Sequence, residues 1–344
     1  MDSITQILLG TSIAEAGFRQ KLGGRAVIAG AVLGLLPDLD IVTRLGRPWA
    51  FLKYHRGPTH SLVVLALVSP LIGWMLWRLS RKRGSPGRWI LLSGCVLLTH
   101  PLLDCCTSYG TQLLWPLTTR RFSVDAIAIV DPVYTLPLLL ATAFACVPRI
   151  RRFSRTFAIC VLVATTGYIG FGRVQMQRAR ALAAKQFESE GFQTVRVRAM
   201  PMIMADNLLW HVAARDRDGG LRVGTISTWA PRHIRFHRLD PPDGALARKA
   251  LESEQGRLFV WFADGLVSTR VEREGPQSAV ILSDHRYGTV TEPAKSIFTA
   301  RALFDADNRL IEVRLSHRNR DIDFRKELSV GWKLLKGEPT DAEE

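Results

Sequence analysis

Apolar residues fall in long blocks with few charges over the first half of this chain and in short alternating runs over the second. The blocks cover residues 26–36, 62–79, 89–103, 126–147 and 157–172, and residues 4–18 form a further helical stretch with Gln6 and Glu15 inside it. A membrane-spanning helix needs roughly 20 apolar residues, and three blocks reach or approach the lower limit of about 17. His100 lies inside the block 89–103 and Asp131 inside the block 126–147. The pattern predicts six helices in a polytopic membrane domain.

Beyond residue 190 the period changes. FQTVRVRA alternates apolar and polar positions, which is the period of a half-buried strand. Three further segments read as hairpins, turning at Asp218-Gly219-Gly220, at Asp264-Gly265 and between Asp305 and Asn308. Residues 180–190 read as a short helical linker. The expected fold is an α-helical polytopic membrane domain followed by an extramembrane, antiparallel β-rich domain, α+β overall. The expected boundaries are 1–175 for the membrane domain, 176–190 for the linker, 191–335 for the β domain and 336–344 for a disordered tail.

Charge supports the membrane reading. Residues 1–173 carry 19 Lys and Arg against 7 Asp and Glu, so most of the chain's +15 net charge belongs to the apolar half. Three basic clusters, residues 19–25, 78–88 and 148–155, lie between apolar blocks. The positive-inside rule puts such clusters in the cytoplasm. Alternation then takes residues 38–60, 100–104, 125–131 and everything after Arg173 to the outer side. A groove-binding nucleic-acid protein has no need of such long apolar runs, and no nucleic acid is expected as a partner. The five cysteines all lie in the apolar half, and Cys105-Cys106 read as small apolar residues at a helix end.

Ionisable groups at membrane depth are costly and mark functional sites. Three motifs supply them. LLPDLDIV places Asp38 and Asp40 two residues apart after a helix-ending proline. HRGPTHS carries His55 and His60 on either side of a Gly-Pro turn, read either as ligands or as a polar lip on the next helix. THPLLD puts His100 and Asp104 four apart on one helical face, as metal ligands or as a hydrogen-bonded pair that staples the helix. Nitrogen with carboxylate oxygen suits a divalent metal: zinc first, then manganese or iron. Three His and three Asp exceed one tetrahedral shell, so either two metals bind or some Asp orient the histidines.

The order MDSITQILLG, GAVLGLLPDLDIV, HRGPTHS, THPLLDCCTSYGTQLLWP and VDPVYTLPLL resembles the YdjM-type family of bacterial inner-membrane proteins, described as LexA-binding or as metal-dependent hydrolases. The resemblance covers about residues 1–175. It implies a metal site at Asp38, Asp40, His55, His60, His100 and Asp104, and a distant likeness to zinc-dependent phospholipase C. One departure concerns the ligand set. Many members have a Thr-His pair near the start where this chain has Thr5-Gln6, which puts Glu15 or Asp2 forward as substitutes.

The expected function is metal-dependent hydrolysis of a phosphoester or lipid-derived substrate in the inner membrane, with the C-terminal domain periplasmic. Membrane lipid and a small-molecule or lipid substrate are the expected partners; no protein partner is assigned, and nothing in the residues points to a LexA contact. In that reading Asp38 or Asp40 completes the shell or acts as general base, and Arg56, Arg120 or Arg121 neutralises phosphate charge. A membrane regulator or scaffold with a structural metal is the alternative. A transporter using Asp131 and Glu15 is a third.

Overall fold

The computed structural model describes residues 1–44, 48–147, 149–202, 207–317 and 323–338. It divides into two compact units, Met1–Arg173 and Val174–Glu344.

The first unit is helical. Helix α1 (Ser3–Gly17) starts where the Asp2 carboxylate accepts the Thr5 amide, so Asp2 serves as a cap. Short α2 (Arg19–Leu22) leads to α3 (Arg25–Leu35), which tightens into a 3-10 helix over Leu36–Arg44. Then come α4 (Pro48–Tyr54), a 3-10 turn at Pro58–His60, α5 (Leu62–Leu79) and α6 (Pro86–Cys105). The Ser61 hydroxyl caps α5 by accepting from the Val64 amide. The apolar block 126–147 is helical only as α7 (Pro132–Cys146), because Asp131 caps it and Pro132 occupies its first turn. The block at 157–172 and the expected linker up to residue 189 lie in one 36-residue helix, α8 (Ser154–Ser189).

Among the described residues, three stretches are long and apolar enough to cross a membrane: Arg25–Thr43, Leu62–Leu79 and Arg151–Ser189. At 15 residues α7 is about 22 Å long, short of a bilayer core of about 30 Å. On α5 the residues facing away from the unit are apolar too, with Leu67, Leu71, Met75 and Leu79 all exposed. A helix that is apolar all round suits lipid rather than water.

Helices α1 and α3 touch at backbone distance. A Cβ on Gly10 would stand 2.2 Å from the Gly30 carbonyl oxygen, and one on Gly34 would stand 2.4 Å from that of Gln6. Small residues at four-residue spacing permit this contact, as in membrane helix pairs generally. Leu33, Trp89, Leu92 and Leu97 close the core beside it.

The second unit holds two four-stranded antiparallel sheets with neighbours in chain order. The first comprises β1 (Thr194–Pro201), β2 (Leu209–Asp216), β3 (Leu221–Ser227) and β4 (His237–Leu239). Met176, Ala179, Ala183 and Phe187, spaced at helical intervals on α8, pack against Trp210, Val212 and Ala214 on one face of β2. Ala213, on its other face, packs with Val223 and Leu266, which is why β2 is buried on both sides. Helices α9 (Ala245–Glu252) and α10 (Glu254–Phe262) follow. The second sheet comprises β5 (Val267–Glu274), β6 (Gln277–Asp284), β7 (Phe298–Phe304) and β8 (Leu310–His317), and α11 (Phe324–Lys336) ends at Gly337 in the left-handed conformation.

One hairpin expected from the alternation is not formed. The stretch RLFVWF belongs to α10, not to a strand turning at Asp264-Gly265. Ser253 caps that helix by accepting from the Gly256 amide, and Phe259 and Phe262 lie three apart on its buried face. An apolar run this short fits either period, and the cap decides. The turns at Gly219 and between Asp305 and Asn308 do join paired strands. Of the expected disordered tail, residues 339–344 lie outside the described residues.

Among the described residues of this unit, His211 and His285 are buried histidines. His211 Nε2 donates to the His285 carbonyl at 3.0 Å. Burial pushes both imidazoles down to about 4, so both are neutral when folded. In the unfolded chain each titrates near 6.5. Between those values the unfolded state binds protons that the folded state does not. Stability therefore falls as pH drops from about 6.5 to about 4, by up to about 1.4 kcal/mol per pH unit per histidine. Thermal melting of the second unit's signal against pH should show this slope, and His285→Gln should roughly halve it. A flat profile over that window would contradict the assignment.

Candidate metal centre

Three segments of the first unit meet at one point. The 3-10 helix after α3 brings Asp38 and Asp40, the turn before α5 brings His60, and the C-terminal half of α6 brings His100 and Asp104. His60, His100 and Asp104 are at most 1% exposed, and Asp38 is 8% exposed.

His60 Nε2 lies 3.2 Å from His100 Nε2 and 3.2 Å from Asp104 Oδ2. Asp38 Oδ1 lies 3.5 Å from each of the two Nε2 atoms, and His100 Nε2 is 3.8 Å from Asp104 Oδ2. One ligating atom from each of these four residues lies within 4.8 Å of all the others. A tetrahedral ion with bonds of about 2.0–2.1 Å sets its ligands about 3.4 Å apart. The donor set fits such an ion.

The neighbours leave the right atoms for it. His100 Nδ1 donates to the Gly34 carbonyl at 2.8 Å, which puts the proton on Nδ1 and a lone pair on Nε2. His60 Nδ1 lies 3.0 Å from Thr59 Oγ1, whose hydroxyl donates to Asp40 Oδ2 at 2.7 Å. Asp38 Oδ2 accepts from the Ser3 hydroxyl at 2.7 Å. Asp104 Oδ1 accepts from Gln6 Nε2 at 3.1 Å and pairs with the Met1 amino group, while buried Oδ2 makes no hydrogen bond. Burial acts to lower the His60 pKa, but the carboxylates of Asp104, Asp38 and Asp40 override it and push it up to about 10. That field favours any cation at this point.

Asp40 and His55 stand outside the four. His55 Nδ1 lies 2.7 Å from Asp40 Oδ1, and its ring stacks on Phe51 with centroids 4.5 Å apart. Burial holds His55 below its usual pKa despite that carboxylate. Asp40 also accepts from the Arg56 amide at 3.2 Å. So Asp40 organises the turn and orients His60 through Thr59.

Arg56 is 4% exposed. Its Nε lies 3.2 Å from Asp104 Oδ2, and its Nη1 donates to Thr107 Oγ1 at 3.0 Å. Its guanidinium stacks on one side of the Tyr109 ring, and that of Arg121 also packs on that ring. The backbone at Arg56 has φ +58°, a left-handed conformation rare outside glycine, which a site can maintain when its surroundings fix it. Arg121 donates to the Tyr109 and Gly110 carbonyls, and Arg120 stacks on Phe122. Glu15 pairs with Arg19 and accepts from Ser154, and so does not replace a ligand. Gln6 holds Asp104 in place rather than standing as a defective ligand.

Sequence reasoning missed Ser3, Thr59, Thr107 and the glycines that bring α1 against α3. GAVLG, with Gly30 and Gly34 four apart, was the available signal for the glycines. The hydroxyls orient their partners only after folding and carry no motif.

The purified chain is expected to bind about one divalent ion. His60→Ala, His100→Ala and Asp104→Asn should each remove it, and Asp40→Asn should weaken it about 10–100-fold, as loss of an orienting partner does. His55→Ala should retain it. Metal analysis by mass spectrometry checks each variant; loss of metal from His55→Ala alone would overturn the four-donor assignment.

The family profile and one relative agree with a membrane setting. A family profile described as YdjM inner membrane protein matches residues 1–179, more than half of the chain. The inner membrane protein YbcI of Escherichia coli (strain K12) is 38% identical over 101 residues, covering 28% of this chain and 57% of that protein. The uncharacterized protein YfhP of Bacillus subtilis (strain 168) is 26% identical over 150 residues, covering 42% of this chain and 46% of that protein. The chain thus spans about half the length of the curated relatives it matches. No solved structure matches it. With the profile spanning the apolar helices and all four converging ligand residues, the chain belongs to the YdjM inner membrane protein family.

Proposed function

We propose that this is a multi-pass protein of the bacterial inner membrane that hydrolyses a phosphoester of a lipid-derived substrate with one divalent ion held by Asp38, His60, His100 and Asp104. The convergence of those four buried donor atoms carries the reading. Two imidazoles with two carboxylates suit zinc best, with manganese or iron next. Such an ion supplies a Lewis acid for a phosphoryl oxygen and activates water at neutral pH.

The residues around it divide the remaining work. His100 is fixed by the Gly34 carbonyl and His60 by Thr59 and Asp40, so neither imidazole turns away. Asp38 is the most accessible of the four, with its side chain 11% exposed, and is the position at which a substrate approaches. Leu39, Ile41 and Val42 beside it are all more than half exposed. An apolar rim next to the accessible ligand suits a substrate that carries an acyl chain. Arg56 acts from behind Asp104, adding positive potential without leaving its partners. Asp40 is a positioning residue in this reading and not the general base.

A structural metal is the second reading, and one observation favours it: three of the four ligands are essentially sealed from solvent. Hydrolysis separates the two. The metal-loaded protein in detergent should cleave a phosphodiester lipid analogue. Chelator should stop it and zinc should restore it. Asp38→Asn should lower kcat by at least about 100-fold, as loss of a group acting on the reacting centre does. Metal bound at full occupancy with no turnover of any phosphoester tested would leave the structural reading.

The basic clusters at residues 19–25, 78–88 and 148–155 set the cytoplasmic side in this proposal, which puts the metal centre at the outer boundary and the β-rich unit in the periplasm. A C-terminal alkaline phosphatase fusion should be active, and a green fluorescent protein fusion dark. The reverse result would invert the orientation.

A further inference from the structure

The second sheet has two unlike faces. Val280, Leu282, Ala300, Ala302 and Phe304 are fully buried on one, where Phe262 of α10 packs near Phe298. The other face is open and polar, and it forms the floor of a groove of about 770 Å³. That volume lies within the roughly 300–1,000 Å³ of small-molecule sites.

Register orders this floor into two rows. Ser268 pairs with Ser283, Ser283 with Thr299 and Thr299 with Ser316, which makes one hydroxyl on each of four strands in a single line. Two residues further along, Arg270 and Arg301 flank Ile281 on the same face. With strands about 4.8 Å apart and about 3.3 Å per residue, the hydroxyl row spans about 14 Å and the guanidinium row lies about 7 Å from it. Strand β4 and the loop after it supply a wall carrying Arg238, Asp240 and Asp243.

A solvated face is ordinary in an antiparallel sheet, and an ordinary one carries scattered long polar side chains. Here the face is walled, its hydroxyls are aligned, and one of them is held from below. Ser268 Oγ lies 2.7 Å from Nε2 of His285, which is 1% exposed. Arg270 is held against Glu272. Thr299 donates to the Ser316 carbonyl at 2.8 Å, which leaves its oxygen lone pairs toward the groove to accept.

We infer that this groove binds a phosphorylated polyol, the chemistry shared by a glycerophosphate lipid head group and a free sugar or glycerol phosphate. The guanidiniums take the phosphate, for which their forked donors are matched. The hydroxyl row exchanges hydrogen bonds with the polyol, Thr299 as an acceptor and the serines as donors or acceptors. Asp240 and Asp243 accept from hydroxyls on the far side. The inference uses only residues of the second unit and does not rest on the hydrolase reading.

Calorimetry on the full chain in detergent tests it with glycerol 3-phosphate, inorganic phosphate and neutral glycerol as probes. Glycerol 3-phosphate should bind at least about tenfold tighter than inorganic phosphate, and glycerol alone should not register. Arg270→Gln/Arg301→Gln should weaken binding more than about tenfold, and Ser283→Ala should weaken it about threefold, with unchanged melting curves as the control for folding. If the double variant fails to fold, Ser283→Ala with Thr299→Val carries the test. Mixed micelles of phosphatidylglycerol against phosphatidylcholine then separate the sources: competition by the former identifies a lipid head group, and competition only by soluble phosphates a free ligand. No binding by any probe, or binding unchanged in these variants, overturns the inference.

Discussion

Two imidazole nitrogens 3.2 Å apart, with a carboxylate oxygen of Asp38 and another of Asp104 beside them, cannot share a dry pocket on their own terms. Without positive charge each presents lone-pair density to the others, and burial removes the water that would screen it. A proton on His60, which the surrounding carboxylates hold up to about 10, or a metal cation at the centre makes the same contacts attractive. The rest of the first unit reads as a frame for that point. Gly34 lends a carbonyl to His100, Ser3 occupies the outer oxygen of Asp38, and Gln6 and Arg56 steady Asp104. Gly34, Ser3 and Gln6 each take an atom that faces away from the centre, and Arg56 lies against Asp104 Oδ2 itself.

Backbone contact between α1 and α3 makes the frame possible. In lipid there is no hydrophobic drive for two apolar helices to associate, so packing and hydrogen bonds must do it. Glycines at positions 10, 30 and 34 let the chains approach until carbonyl oxygen meets Cα. The same approach that holds the helices together delivers Ser3 and Gln6 from α1 and the Gly34 carbonyl from α3 to the ligands. Stability and site construction share one interface, so a side chain added at Gly34 disturbs both.

Much of this was legible in the residues. Long blocks with few charges gave the helical half, and alternation gave the sheets, since each reports which faces are apolar. The i,i+4 spacing of His100 and Asp104 gave their common face. Three things were hidden. RLFVWF carries no period long enough to separate strand from helix, and the Ser253 cap settles it. The block 126–147 hides a break at Asp131-Pro132, where an acidic cap and a missing amide outweigh hydropathy. The division of six candidate ligands into four that converge and two that do not depends on side-chain directions, and spacing along the chain does not encode those.

The turn from His55 to Ser61 shows what that division means. Its two histidines answer to one carboxylate, Asp40, which receives His55 directly, Thr59 by its hydroxyl and Arg56 by its amide. Only the second histidine goes on to the metal centre. The His-Arg-Gly-Pro-Thr-His spacing is therefore the imprint of a loop wound around an acid, not of a chelating pair. A search that scores both histidines as donors would count one residue more than converges with Asp38, His100 and Asp104 here.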